Sequence, residues 1–181
     1  MVEIIHGKKY WLYPQEEKFF TDVCRGLKDY VEIGTMHGGS ACAAASVMKG
    51  DIYCIDPFHK CSSKDIFLNF YYNGFDPGRL HVFVQEHPPW PKELKNKTFD
   101  VGYIDGNHDY PYVSRDWKEL RARCKIVLFH DVWVKPKRDN YKRMEGAEVA
   151  PSQVFNRILE EDDEWEFIGA VGHLGAVRRR R

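Results

Sequence analysis

The sequence has no long apolar run. No window approaches the roughly 20 residues that a membrane-spanning helix requires. The opening residues, "MVEIIHGKKYWLYPQ", lack a basic region followed by an apolar stretch, so no signal peptide is expected. Charge excess is missing as well: 27 lysines and arginines face 27 aspartates and glutamates. A broad nucleic-acid surface shows as a basic excess, so no nucleic-acid partner is expected, and no membrane partner either. The one basic run, Arg178 to Arg181, reads as a solvated terminal tail. Cysteines number only 5, and none has the C-x-x-C spacing of a zinc site. Cys42 and Cys54 fall in apolar segments and read as reduced, buried thiols of a cytoplasmic protein. Repeats and low-complexity linkers are absent. The 181 residues therefore read as one domain, 1–181, large enough to bury a core.

What is present is an alternation of helix and strand. Residues 14–28 place Phe19, Phe20, Val23, Cys24 and Leu27 on one helical face behind Pro14. "YVEIG", "DIYCID", "RLHVFVQ", "FDVGYID" and "KIVLFHD" read as strands. Between them, "SACAAASVMKG" reads as a helix stopped by Gly50, "SKDIFLNFYYNG" as one stopped by Gly74, and "YVSRDWKELRARC" as a third. "SQVFNRILEE" is a helix with Ser152 as its cap. "EWEFIGAV" and "GHLGAVRR" pair around Gly172 and His173. The fold class expected is α/β: a Rossmann-like three-layer sandwich, its seven-stranded sheet mostly parallel and ending in an antiparallel hairpin. Residues 134–150 read as a polar loop over the site.

In "VEIGTMHGGSACAAA" a strand enters a glycine-rich turn and then a helix of small residues. Glycines there allow positive φ and close approach of a ligand, and the helix start offers unpaired amides to an anion. The spacing Gly34, Gly38, Gly39 is not G-x-G-x-x-G, which argues against a dinucleotide. Glu32 within the strand suits an ammonium group better than a pyrophosphate. Asp56 ends the second strand, about 20 residues past the turn, where an acid accepts both ribose hydroxyls of an adenosine. The fourth strand ends in a ligand-rich cluster, Asp105, Gly106, Asn107, His108 and Asp109.

Together "VEIGTMHGGSA", "IDPF", "FDVGYIDGNHDY" and "VLFHDVW" resemble the class I S-adenosylmethionine (SAM)-dependent methyltransferases. Within them they resemble the branch of macrolide-sugar and aminocoumarin-sugar O-methyltransferases and cephalosporin-hydroxylase-like proteins. The resemblance implies SAM as cofactor, with its methionine end over Glu32, Gly34, Thr35, Met36, Gly38, Gly39 and Ser40. It implies the ribose on Asp56, the adenine region near Glu86, and Asp105 beside the cofactor. In metal-using members the acids ending strands four and five hold magnesium; Asp105 and Asp131 match those positions, and His130 stands where a third ligand is often an acid. His108 matches the general base of some members. The pattern departs from the family at "ARCK", which replaces the Pro-Gly-Gly turn before strand five, and no added substrate domain is evident.

Two carboxylates at adjacent strand ends repel each other, and a divalent cation removes the conflict. Mg2+ or Mn2+ is therefore expected on Asp105, His130 and Asp131, lowering the pKa of a substrate hydroxyl while His108 removes its proton. Each residue also has a plainer reading. Asp105 can cap the Asp-Gly turn, His108 can bond to loop backbone, and His130 can be a core histidine. Tyr110, Tyr112 and Trp133 read as rim packing. The function expected is methyl transfer from SAM to a hydroxyl of a small molecule, a sugar or glycoside. The rivals are a metal-independent methyltransferase and a non-catalytic SAM- or nucleotide-binding module. A homo-oligomer is compatible with the sequence.

Overall fold

Short β-branched and aromatic runs form the strands, and helices with one apolar face cover them. The computed structural model describes residues 12–133 and 149–181. Its elements are α1 (Pro14–Cys24), β1 (Tyr30–Ile33), α2 (Gly39–Val47), β2 (Ile52–Asp56), α3 (Ser63–Tyr72), β3 (Leu80–Val84), β4 (Phe99–Ile104), α4 (Tyr110–Arg123), β5 (Cys124–Phe129), α5 (Ala150–Glu161), β6 (Trp165–Val171) and β7 (Leu174–Arg179). The loop expected at 134–150 lies, up to residue 148, outside the described residues.

The strands form one sheet in the order β3-β2-β1-β4-β5-β7-β6. The first five are mutually parallel, and β7 runs antiparallel to both β5 and β6. This is the expected seven-stranded α/β sheet with its antiparallel C-terminal hairpin. Strand alternation divides the core between two faces. Tyr30 packs with Phe20, Ala41, Ala44, Ile66 and Phe70 of α1, α2 and α3. Val31 and Ile33 pack with Val113, Leu120, Phe155 and Ile158 of α4 and α5. Ala41, Cys42, Ala43, Ala44 and Ala45 are all buried, because α2 carries little beyond Cβ and lies close to the sheet. Among the described residues no helix is long and apolar enough to cross a membrane.

Four expectations need correction. The first helix ends at Cys24, since Gly26 turns left-handed with φ 76°. Gly50 does not stop α2. That helix ends at Val47 with Met48 already extended, and the Gly50 amide instead bonds the Lys28 carbonyl. Ser152 does not cap α5; Val149 occupies that position. The arginine tail is half sheet. Arg178 pairs in β7 with Glu166 at 2.5 Å, and Arg179 donates to the Arg121 carbonyl and lies over the Trp165 ring. Gly74 does close α3, with φ 74°.

The order 3-2-1-4-5 reverses direction between β1 and β4. In open parallel sheets, ligands bind outside the carboxyl ends of the strands at that reversal.

Candidate active site

At that reversal lies a cavity of about 910 Å³, reached by Gly34, Asp56, Asp105 and Asp131 from the ends of four strands. Among the described residues three non-glycines adopt left-handed backbone: Met36 (φ 50°), Phe58 (φ 56°) and Asp131 (φ 53°). All three follow strands that open on the cavity. Such conformations cost about 1–3 kcal/mol each and persist where surrounding contacts enforce them.

The glycine turn is enforced from two sides. Gly34 has φ +88°, and a Cβ there would fall 2.1 Å from the backbone oxygen of Asp105. The turn can therefore lie against the end of β4 only if residue 34 is glycine. From the other side, the Asp56 carboxylate accepts the amides of Thr35 and Met36 at 2.7 and 2.9 Å on Oδ2. Its Oδ1 accepts the Phe58 amide at 2.5 Å. A carboxylate has about four lone-pair sites, so the residue expected to take two ribose hydroxyls is already largely engaged in shaping the turn. Gly38 is the N-cap of α2 with φ 81° and no side-chain cap, so the first amides of α2 near Gly39 and Ser40 face the cavity region without a protein acceptor from that residue.

Glu32 does not line the cavity. It is fully buried, and its Oε2 accepts from Tyr30 Oη at 2.7 Å and Ser40 Oγ at 2.6 Å. Burial pushes its carboxyl up to about 7, with the hydrogen bonds from Ser40 and Tyr30 opposing that rise. Glu32 was expected at the methionine end of SAM; in the structure it holds Ser40, and Ser40 lines the cavity.

The ends of β4 and β5 meet as the sequence implied. Asp105, His108 and Asp131 each offer a ligand atom within 4.8 Å of the others. His108 Nε2 is 3.7 Å from Asp105 Oδ1 and 3.5 Å from Asp131 Oδ2. The two histidines stand differently against these carboxylates. His130 is not in this group. Its Nδ1 sits 3.3 Å from Asp105 and 3.4 Å from Asp131, with its side chain 10% exposed. Burial alone would lower the His130 pKa, but hydrogen bonds and charge from both aspartates outweigh it and push it up to about 10. The His130 imidazole thus lies against both of the carboxylates with which it was expected to share a metal. The hydrogen bond to His130 in turn holds the Asp131 carboxyl below its ordinary range. His108 is raised as well, chiefly by its hydrogen bond to Asp105 against the opposing effect of burial.

Sequence reasoning passed over the supports of this centre. Ser152 Oγ accepts the Trp133 amide at 2.8 Å and donates to the Asp131 carbonyl at 3.3 Å. Asn156 Nδ2 donates to the Trp133 carbonyl at 3.0 Å. These buried polar groups, one turn apart on α5, fasten the loop that holds Asp131 left-handed. Their i, i+4 spacing on the apolar face of α5 was the available signal. Tyr103 Oη donates to Asp105 Oδ2 at 3.3 Å. His37, within the glycine turn, pairs with Asp65 of α3 at 3.1 Å. Of the remaining expected residues, Glu86 lines the cavity beyond β3 and pairs with His59 at 3.2 Å. Tyr110 meets Arg157 at 3.3 Å, and Trp133 packs on the His173 ring at 4.3 Å.

A family profile described as a methyltransferase domain matches residues 31–132. No curated protein sequence matches the chain. Among solved structures, cofactor-bound Rv0187 from MTB superposes with a TM-score of 0.71 at 16% identity, covering 96% of this chain and 83% of that one. An O-methyltransferase from Bacillus cereus in complex with SAH gives 0.67 at 16%, covering 95% and 84%. An rRNA methylase from Streptococcus thermophilus gives 0.61 at 8%, covering 96% and 100%. At these identities the likeness is one of fold, and it spans different acceptors.

Proposed function

The chain belongs to the methyltransferase-domain family and has the class I SAM-dependent fold, and from that premise we propose that it methylates a hydroxyl oxygen of a small molecule, a sugar or glycoside, with His108 as the base. The observation that carries this reading is the placement of His108 on the cavity wall, half-exposed, with Nε2 toward two carboxylates. The aspartates favour the tautomer with the proton on Nε2, which leaves Nδ1 to take the proton of an acceptor hydroxyl, the logic of a carboxylate-oriented imidazole. As that proton leaves, the oxygen attacks the methyl carbon of the sulfonium in line. The carbon–sulfur bond breaks and its electron pair stays on sulfur, giving a neutral thioether. The imidazolium formed on His108 is stabilised by Asp105 and Asp131. The remaining contribution of the protein is alignment of oxygen, carbon and sulfur, which the rigid strand ends supply.

A second reading is favoured by the same three residues. Two carboxylates and an imidazole within 4.8 Å fit a divalent cation. The donor set suits Mn2+ at least as well as Mg2+, since imidazole nitrogen is a poor magnesium ligand. Asp105, Asp131 and His108 would hold it, and when bound it would supply Lewis acidity that lowers the pKa of a nearby hydroxyl. His108 would then be a ligand and not a base.

The test is thioether release from SAM over a panel of hydroxylated acceptors, with metal-free protein, with added manganese, and with chelator. Turnover that survives the chelator supports the histidine reading. Turnover that appears only with metal replaces it with the cation reading. SAM binding without turnover on any acceptor removes both.

A further inference from the structure

α3 carries apolar residues on two faces, and the chain by itself covers one of them. Its buried residues are Ile66, Asn69 and Phe70. Ile66 and Phe70 pack with α1, α2 and the sheet. Ile66 lies against the glycine turn, where a Cβ on Gly38 would come 2.4 Å from its Cγ1. Asn69 Nδ2 donates to the His37 carbonyl at 2.6 Å, and Asp65 pairs with the His37 ring. The outer stripe is Lys64, Phe67, Leu68 and Tyr71, with Tyr72 beside it. Its spacing, i, i+3, i+4 and i+7, is the one that marks the covered face of a helix. Yet Phe67 is 42% exposed, Leu68 47%, Tyr71 70% and Tyr72 67%. None of these four lines the cavity. A helix that is apolar all round is one that is covered all round.

The chemistry of the face says what covers it. With about 200 Å² per aromatic side chain, the four apolar residues offer on the order of 400 Å². A stable interface takes about 800 Å² from each partner, as an apolar, aromatic-rich centre inside a polar rim. The four side chains make such a centre, and exposed Ser62 and Asp76 at the two ends of α3 begin the rim. The two tyrosine rings meet edge to face, 5.8 Å apart at 79°, so they give no flat platform on which a sugar or a base stacks. Helices that lie on a membrane carry a row of cations, and α3 has Lys64 alone. Charge sets the orientation. Lys64 stands in the first turn of α3, and the last turn has no basic residue. A cation opposes the helix dipole at the first position and would favour it at the second. Antiparallel pairing of two copies brings each Lys64 toward the other's helix end, so the face is complementary to itself. We propose that a second copy of this chain covers α3: two α3 helices pair antiparallel about a twofold axis through Phe67, Leu68, Tyr71 and Tyr72. The pairing leaves both cavities open and backs the helix that holds His37.

Sedimentation velocity of the full chain from about 1 to about 100 µM, a span that brackets micromolar association, tests it. The wild type should pass from monomer to dimer and no further, because a twofold contact closes on itself. Leu68→Arg and Tyr71→Arg should each weaken the dimer by at least about 100-fold, since the axis sets two new cations against each other and counts each loss twice. Both side chains are exposed in the single chain, so far-UV circular dichroism of the variants should match wild type. Lys64→Glu sets an acid against the other copy's helix end and should weaken the dimer by roughly 3–30-fold; an unchanged dissociation constant rejects the antiparallel arrangement. If the arginine variants fail to fold, hydrogen exchange of the wild type decides: amides of residues 63–73 should exchange more slowly at the high concentration than at the low one. A chain that stays monomeric throughout, or a dimer that survives both arginine variants, would overturn the proposal. So would protection of residues 63–73 that arises only on adding phosphatidylglycerol vesicles, which gives the face to a lipid surface.

Discussion

At the scale of single residues, two acids and a histidine singled out by the sequence do different work. Asp56 accepts three backbone amides. Asp56→Ala should therefore weaken SAM by slackening the turn as well as by losing ribose contacts, and proteolysis within 34–40 should quicken even without cofactor. Glu32 is a buried carboxyl raised from 4.5 to about 7. Its unfolded form ionises near the lower value while its folded form still holds the proton, so the unfolded state binds fewer protons across that window. Stability should then fall as pH rises from about 4.5 to about 7 and level off above, by on the order of 3 kcal/mol. Glu32→Gln should abolish that slope in denaturant titrations at several pH values, and a slope that persists in the variant would reject the assignment. His108 carries the chemistry proposed above. His108→Ala should reduce turnover by roughly 10²–10⁴-fold while SAM affinity stays within about threefold of wild type. Because the aspartates raise the His108 pKa, metal-free kcat/KM should climb with pH and reach half its plateau above the ordinary imidazole value of about 6.5.

At the scale of elements, the site depends on helices that never touch the reacting atoms. α5 holds the end of β5 through Ser152 and Asn156, and β4 admits the glycine turn only at Gly34. Gly34→Ala combines a left-handed backbone with a clash against the main chain of residue 105. It should cost at least about 3 kcal/mol, lowering Tm by about 6–12 °C in a chain of this size. Ser152→Ala leaves the Trp133 amide without its partner and should cost about 1–3 kcal/mol. Its signature should be a loss of turnover beyond what the Tm shift explains, since Asp131 is freed from its left-handed conformation. A variant with full turnover and a lowered Tm would show Ser152 to be a stability contact only. The pairing of Glu16 with the His173 amide at 2.7 Å is a comparable brace, tying α1 to the β6–β7 turn beside Val132.

At the scale of the whole molecule, the sheet was legible because its signals are local. Each strand is a short run of β-formers with turn residues behind it, and seven such runs in order permit few topologies. The convergence of Asp105 and Asp131 was legible for the same reason, since both end neighbouring strands. What lay hidden depends on distances between elements far apart in sequence. Nothing local in His130 says that it lies between two carboxylates, nor in His87 that α4 brings Asp116 to it. Ser152 looked like a cap because its type fits one, yet the helix begins earlier and uses the hydroxyl to hold another loop. Polar residues on buried helix faces are where sequence reasoning ran out.

We propose that this cavity moves a methyl group from SAM to a hydroxyl under the control of His108. This proposal is tested most directly by incubating metal-free protein with methyl-labelled SAM and a library of hydroxylated sugars and glycosides, then reading transferred label by mass spectrometry. The account predicts a labelled methyl ether with wild type, formed faster as pH rises through the His108 pKa, and almost none with His108→Ala at equal SAM occupancy. Label transferred equally by His108→Ala would contradict it, as would a wild type that binds SAM and leaves every acceptor unlabelled with or without manganese.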